Sequence, residues 1–261
     1  MNGVLEFAIE GVGVCSAGLP DWEIARAVLR GERDYAAATP ARLAPALMSP
    51  NERRRAPESV LLALGVAEAA CVMAGREPRA LANVFASSYG DLAINDYLCA
   101  ELARAPLDLS PTKFHNSVHN AAAGYWTIAS GCMATSSAIS AGADTFGAGL
   151  LEAASLACSE GLPVLYAIYD TAAAGPLVDV TTASTPFGAA FVLAPAPSPG
   201  LAHVRLRVGD AAAPLAPLAA PLQALQAACP AAASLPLLAA LARENGATLA
   251  LAPHLQLEIS F

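Results

Sequence analysis

Short apolar runs alternate along this sequence with segments in which apolar residues recur at helical spacing. The run at residues 163–169 has no charged member and ends at Asp170, which is typical of a buried central strand. Residues 58–74 place apolar side chains on one stripe and end at Gly75, which predicts a long helix. The alternation of the two patterns predicts an α/β fold whose strands are mostly buried.

The same criteria predict elements over most of the chain. Strands are predicted at residues 7–14, 81–86, 136–140, 163–169, 187–193, 202–208 and 255–261. Helices are predicted at residues 22–30, 58–74, 91–104, 121–128, 145–159 and 237–244, with Asp21 and Gly31 as the caps of the first. Three segments are predicted to be irregular: the proline-rich residues 39–57, the polar residues 111–120, and the Ala/Pro-rich residues 211–236, which are expected to hold helix pieces and linker.

Composition narrows the class of protein. The 261 residues suffice for one large domain or two small ones. Hydrophobic residues make up 56%, charged residues 14%, and the mean hydropathy is +0.48, which excludes intrinsic disorder. The net charge of −8 argues against nucleic acid or an anionic membrane as partner, and Lys113 is the only lysine.

Neither a membrane span nor a secretory signal is predicted. No apolar stretch approaches the roughly 20 residues that a spanning helix needs, and no basic region opens the chain. The six cysteines show no CxxC or CxxH spacing, which favours free thiols in a reducing compartment. We therefore expect a cytoplasmic protein, and its small share of charge favours a surface partly buried against a partner.

Gly11 and Gly13 follow a predicted strand and precede a predicted helix, as the glycines of a phosphate-binding loop do. The third glycine of that motif is missing, and no acidic residue ends a second strand about 20 residues further on. A tight strand-to-helix turn is the favoured interpretation, and no cofactor is expected.

Ser140 lies in a degenerate form of the nucleophile elbow of serine hydrolases, with Ala138 where a glycine is usual. The residues available to complete a triad in the right chain order are Asp170 or Asp179 and His203 or His254. No glycine run suited to an oxyanion hole precedes Ser140. A serine hydrolase or acyltransferase using Ser140 stays an alternative.

His115 and His119 are four residues apart, a spacing that binds zinc when it falls on a helix. No third ligand is near, no glutamate lies between them, and the segment is not predicted to be helical. No metal site is therefore expected, and a polar loop that satisfies backbone groups is favoured.

Between residues 110 and 153 the sequence resembles the ketosynthase branch of the thiolase-like superfamily. Ketosynthases carry Ser-Pro-x-x-Phe, an Asn, Ala-Gly, a Thr-Ile pair and a Gly, and then a strand that ends in Thr-Ala-Cys. The residues that fit without a gap are Ser110, Pro111, Phe114, Asn120, Ala123, Gly124, Thr127, Ile128, Gly131, Glu152 and Ala153. In this frame the Thr-Ala-Cys positions are Ala141, Gly142 and Ala143.

Other segments extend the resemblance over residues 4–208. They are the strand and turn at 9–18, the helix ending in Leu29-x-Gly31-Glu32, the strand at 84–87 and the strand at 186–193. The resemblance implies a thiolase-like half, with a mixed five-stranded sheet, a buried helix and covering helices. Residues 1–208 would be the ketosynthase-like N-terminal domain, and residues 209–261 an extension whose terminal helix and strand complete the same domain.

The resemblance also implies what this chain lacks. In ketosynthases the Cys that opens the buried helix is the nucleophile, and its partner histidines come from the second half of a longer chain. Here the nucleophile position is Ala143, or Gly142 if the frame slips by one residue, with Asp144 next to it. Neither residue can be acylated, and His203 and His254 lie in no matching motif. The chain by itself is therefore not expected to be an enzyme.

The Ser-Val-His-Asn-Ala and Ser-Ala-Gly-x-Asp stretches are most similar to a short family associated with chain-length-factor-like subunits of aryl polyene clusters. That resemblance implies a non-catalytic subunit that pairs with a catalytic β-ketoacyl synthase and shapes its acyl tunnel, in polyene or fatty-acid-type biosynthesis. Val118 is the first candidate for an interface or tunnel residue, with Phe114, His119 and Asn120 next to it. An acyl carrier protein is a second expected partner, and a homodimeric acyl-binding protein is the remaining alternative.

Overall fold

The computed structural model describes residues 3–38, 42–209 and 218–261, which build one eight-stranded sheet with helices on both faces. The strands are β1 (Val4–Ser16), β2 (Ala82–Ala86), β3 (Ser136–Ile139), β4 (Val164–Asp170), β5 (Phe187–Pro195), β6 (Ala202–Val208), β7 (Ala247–Ala252) and β8 (Leu255–Ser260). The helices are α1 (Trp22–Arg30), α2 (Pro50–Arg55), α3 (Glu58–Ala74), α4 (Leu92–Arg104), α5 (Pro111–Asn116), α6 (Ala121–Ser130), α7 (Thr145–Glu160), α8 (Ala220–Ala228) and α9 (Leu235–Arg243).

The sheet is mixed, with the strand order β3-β2-β4-β5-β1-β6-β8-β7. β2 lies parallel to both β3 and β4, whereas all the other neighbouring strands are antiparallel. The carboxyl ends of β2, β3 and β4 therefore lie together at one end of the strands. Open sheets of this kind commonly bind ligands at the carboxyl ends of their parallel strands.

The predicted fold class is confirmed, but the prediction of five strands is wrong. The sheet continues past β1, because β6 pairs with β1, β8 with β6, and β7 with β8 as the last strand. β7 has the sequence Ala-Thr-Leu-Ala-Leu-Ala and was not predicted, because such small and apolar residues give no clear alternation.

Hydrophobic clusters cover both faces of the sheet. On one face α3 and α6 pack against the strands, with Trp126 fully buried between α6 and the sheet. On the other face α7 packs against the strands, and residues of α1, α8 and α9 belong to the same hydrophobic cluster. The elements from α8 to β8 thus share one core with the preceding part of the chain, while the division of the chain at residue 208 stays a prediction.

Gly11 and Gly13 lie inside β1 and not in a turn, so the expected strand-to-helix turn is wrong. A methyl group at Gly11 would overlap the carbonyl oxygen of Ala70, and one at Gly13 would overlap that of Val66. Two residues of strand and four of helix both span about 6–7 Å, so the two glycines match successive turns of α3. They let the backbone of α3 lie directly on β1.

The predicted irregular segments contain short helices. The described part of residues 39–57 includes α2, whose first turn is closed by Ser49 and Glu52 in a capping box. Residues 111–120 include α5, which starts at Pro111 after the cap residue Ser110. Residues 39–41 and 211–217 lie outside the described residues, and the remainder of 211–236 holds α8, a 3₁₀ turn at Pro230–Ser234 and the start of α9.

Within the described ranges, no helix combines the length and the apolar character needed to cross a bilayer.

Candidate functional site at the ends of the parallel strands

Asp170, the last residue of β4, connects the loops at the carboxyl ends of the parallel strands. Its Oδ1 accepts hydrogen bonds from the Ser87 hydroxyl at 2.8 Å, from the Ser88 backbone N–H at 2.9 Å and from the Tyr89 backbone N–H at 3.3 Å. All three donors lie in the turn after β2. One carboxylate oxygen therefore fixes that turn to the end of the neighbouring strand.

The Asp170 carboxyl group is buried, and its Oδ2 has no hydrogen-bond partner among the described residues. Burial raises the pKa of Asp170 from 3.8 to about 6, because a charged carboxylate is poorly solvated there. The hydrogen bonds from Ser87, Tyr89 and Ser88 oppose that shift without cancelling it.

The loop after β3 holds Ala141, Gly142 and Ala143, the residues that the resemblance aligns with the nucleophile motif. Residues Gly142–Asp144 form a 3₁₀ turn that leads directly into α7, and Gly142 has a φ of +59°. The Thr145 hydroxyl donates to the Gly142 carbonyl at 2.7 Å and accepts from the Ala141 N–H at 2.9 Å, which closes the turn. Ala143 is exposed in this turn.

Two serine hydroxyls join this loop to the turn after β2. Ser88 donates to the Gly142 carbonyl and Ser140 donates to the Ser88 carbonyl, each at 3.1 Å. Asp170, the turn at residues 87–90 and the turn at residues 140–144 thus form one connected network. This network was not predicted from the sequence, although the serines after β2 and the aspartate at the end of β4 were a usable signal.

His119 contacts the same network, because its Nε2 lies 2.9 Å from the Ser87 carbonyl oxygen. The other residues predicted for an interface or tunnel lie around it. Val118 is 51% exposed and Phe114 is 64% exposed, and Asn120 is exposed at the start of α6. The structure thus brings His119 to the turn after β2 and leaves the apolar side chains of Val118 and Phe114 facing outward.

A groove of about 520 Å³ runs between α5 and α6 and includes two of the predicted residues. Its lining residues are Glu52, Arg55, Pro111, Thr112, His115, Val118, Asn120, Ala121, Gly124, Tyr125 and Ile128. Phe114 and His119 are not among them. The groove has the volume of a typical small-molecule site, which is roughly 300–1,000 Å³.

The segment from α4 to β3 leaves several large apolar side chains exposed. The large apolar side chains exposed between residues 102 and 133 are Leu102, Leu107, Phe114, Val118, Ile128 and Met133, of which Leu107 and Met133 are more than 95% exposed. They lie on α4, in the turn after it, on α5, between α5 and α6, on α6 and before β3. β3 is also the edge strand of the sheet, so one side of its backbone has no partner in the described part of the chain.

The residues proposed for a hydrolase triad are not brought together. Ser140 and Asp170 lie at the ends of β3 and β4, but the Ser140 hydroxyl donates to the Ser88 carbonyl. His203 lies on β6, three strands beyond β4, and His254 lies between β7 and β8. Neither His203 nor His254 is therefore placed to act as a base for Ser140. His115 is exposed on α5 while His119 contacts Ser87, so the two imidazoles have separate surroundings.

Comparison with known proteins adds a family and a fold. The family model described as beta-ketoacyl synthase, N-terminal domain, matches residues 29–252. No curated protein matches this sequence. Among solved structures, the chain is similar to one in the complex described as ketosynthase (ApeO) with its chain length factor (ApeC) from Xenorhabdus doucetiae. The identity is 22% and the TM-score 0.74, over 98% of this chain and 100% of that one.

Two further solved structures are similar. One is the ishigamide ketosynthase/chain length factor, with 16% identity and a TM-score of 0.69 over 98% of each chain. The other is a beta-ketoacyl synthase from Burkholderia phymatum STM815, with 18% identity and a TM-score of 0.61 over 89% of this chain and 71% of that one. At these identities the likeness concerns the fold, and it confirms the predicted ketosynthase-type architecture.

Proposed function

This chain belongs to the beta-ketoacyl synthase N-terminal-domain family, and from that premise we propose that it is a non-catalytic, chain-length-factor-like subunit. In this proposal it pairs with a catalytic ketosynthase and contributes to the tunnel that receives the growing acyl chain. The observation that carries the proposal is the exposed Ala143 in the turn that opens α7.

Condensation by a ketosynthase begins when a thiolate attacks an acyl thioester, so that the acyl group moves to the enzyme and the carrier thiol leaves. Ala143 has no atom that can make this bond, and neither does Gly142 if the frame is shifted by one residue. None of the six cysteines lies between residues 133 and 157. The acyl group must therefore be held by the partner, which is why a catalytic subunit is part of the proposal.

The uncovered apolar surface supports pairing. Phe114, Ile128 and Met133 are each at least 64% exposed. Exposed apolar side chains of this size are unfavourable in water, and where they cluster they mark an interface in many proteins. The edge strand β3 adds N–H and C=O groups that a partner strand can satisfy. We place the ketosynthase on this side of the chain.

The groove between α5 and α6 supports a role in shaping the tunnel. Val118 and Asn120 line it, and Ile128 extends its apolar wall. In the proposal Val118 limits the space for the acyl chain, Phe114 contacts the partner, and His119 holds the loop through Ser87. The proposal also includes an acyl product of the polyene or fatty-acid type and an acyl carrier protein as the second partner.

Co-expression with the ketosynthase encoded next to this chain tests the pairing. We expect the two proteins to elute together in size-exclusion chromatography and the double variant Ile128→Asp/Met133→Asp to elute alone. The control is Leu162→Asp, which places one such charge at a 57% exposed leucine after α7. The proposal is wrong if wild-type protein and ketosynthase migrate separately, or if product length does not change with Val118→Trp. A stable homodimer that copurifies with acyl chains would favour the acyl-binding alternative.

A further inference from the structure

The groove between α5 and α6 combines an apolar wall with Arg55, a cation for which the described residues provide no partner. We propose that it binds a medium-chain fatty carboxylate on this chain alone, with the carboxylate held by the guanidinium of Arg55. This proposal rests on the proposed function in one respect, namely that the groove holds an acyl chain. Binding by the isolated protein requires no ketosynthase, so the two ideas can fail separately.

Arg55 differs from its two neighbours in the run Arg53-Arg54-Arg55. Arg53 donates to the carbonyl oxygens of Ala44 and Pro45 at 3.3 Å, and Arg54 donates to the side chain of Asn51. Arg55 is exposed and is one of the residues that line the groove, and its guanidinium has no hydrogen bond or ion pair with any residue in the described ranges. It is therefore the arginine of this run that is available to an anion.

The nearest carboxylate of the groove is already engaged. Glu52 accepts a hydrogen bond from the Ser49 backbone N–H at 3.1 Å in the capping box of α2. No ion pair joins Glu52 to Arg55 within the described ranges. The net charge of −8 works against anions over the surface as a whole, so the guanidinium of Arg55 is the local group that would attract one to this groove.

The position of Arg55 relative to the groove is fixed by a buried asparagine. Asn116 donates from Nδ2 to the Arg55 carbonyl at 3.3 Å and accepts from the Tyr125 hydroxyl at 3.1 Å. This bridge joins α2, α5 and α6, the three elements that line the groove. The backbone that carries the guanidinium is thereby preorganised, which lowers the entropy lost on binding.

The wall of the groove suits a flexible hydrocarbon chain. Val118 and Ile128 are 51% and 73% exposed, so covering them removes apolar surface from water. Gly124 has no atom within 4 Å of the place where a Cβ would stand, which leaves free space along α6. A carboxylate matches the planar fork of an arginine in a bidentate pair, and a hydrocarbon chain attached to it matches the wall.

Isothermal titration of the isolated protein with dodecanoate, dodecanol and acetate tests the proposal. We expect dodecanoate to bind about tenfold or more tightly than dodecanol, because a charged hydrogen bond is lost with the alcohol, and acetate not to bind measurably. Arg55→Met keeps the apolar stem of the side chain and is expected to abolish the preference for the carboxylate. The control Arg54→Met removes the neighbouring cation and is expected to leave it unchanged.

Gly124→Leu is expected to abolish binding of both long-chain ligands, with an unchanged circular dichroism spectrum as the check on folding. Equal affinities of dodecanoate and dodecanol, equal losses in Arg55→Met and Arg54→Met, or no binding of dodecanoate would each overturn the proposal. If the ketosynthase still coelutes in that case, the proposed function stands and only the carboxylate site is wrong. If dodecanoate binds as expected and no ketosynthase coelutes, the site stands and the pairing is wrong.

Discussion

Replacing Asp170 by asparagine tests whether the network at the strand ends contains a buried charge. Asparagine has the same shape and keeps an Oδ1 that can accept the three hydrogen bonds from residues 87–89. It cannot ionise. The comparison between the two proteins at different pH values therefore isolates the ionisation of one carboxyl group.

The pKa of Asp170 sets the sign and the size of the effect. Burial raises it from 3.8 to about 6, so between these pH values the folded state binds more protons than the unfolded state. The protonated group stabilises the fold fully below pH 3.8, and this contribution is lost as the pH rises through about 6. At about 1.4 kcal/mol per pKa unit, the shift corresponds to roughly 3 kcal/mol.

Urea unfolding followed by circular dichroism from pH 4 to pH 8 provides the measurement. We expect the free energy of unfolding of the wild type, relative to Asp170→Asn, to fall by about 2–3 kcal/mol over this range. The two proteins also differ in unfolding free energy by an amount that does not depend on pH, because the amide group that replaces Oδ2 has its own energetic cost. Only the change of this difference with pH is therefore interpreted. Asp179→Asn, at an exposed carboxylate, serves as the control. A difference that stays constant within about 0.5 kcal/mol from pH 4 to pH 8 would refute the reasoning about burial.

Three further substitutions test other parts of the fold by the same unfolding assay. Gly13→Ala should lower the free energy of unfolding by about 3 kcal/mol or more, because its methyl group displaces α3 from β1, while Gly3→Ala should have little effect. A loss at Gly13 no larger than at Gly3 would contradict the close approach of the helix. Gly124→Ala should raise stability by about 0.5–1 kcal/mol, because it lies in α6 with free space around it, and a decrease would show that the space is filled. Asn83→Ala should lower the free energy of unfolding by about 2–3 kcal/mol and speed amide exchange in β3. The reason is that buried Asn83 accepts a hydrogen bond from the Ser136 hydroxyl at 2.7 Å and donates one to the Leu81 carbonyl. Unchanged exchange in β3 would contradict its role in holding that strand.

Elements with strong local signals could be predicted from the sequence. Helix α1 has the predicted bounds, because Asp21 caps it through the Ile24 N–H and Gly31 ends it in the left-handed conformation. Helix α3 also has the predicted bounds. In both cases the information lies within a few residues of the element, which is why the pattern was sufficient.

The remaining features depend on contacts between distant residues. Gly11 and Gly13 resemble turn residues in the sequence, and only the approach of α3 explains why they stand inside a strand. The network around Asp170 joins three loops that are about 50 and 30 residues apart in the chain, so no local pattern could assemble it. The assignment of Val118, Phe114, His119 and Asn120 to an interface or tunnel stays a prediction, since it came from resemblance.

The low share of charge can now be traced to particular parts of the fold. Strands β4 and β5 are buried along almost their whole length, with helices on both sides, and so need no charged residues. That accounts for apolar residues in the core but not for Leu107 and Met133, which are almost fully exposed. Leu107 follows α4, and Met133 precedes β3, whose outer edge is open in the described part of the chain. The proposed partner would cover such side chains, and without it we expect the isolated chain to self-associate.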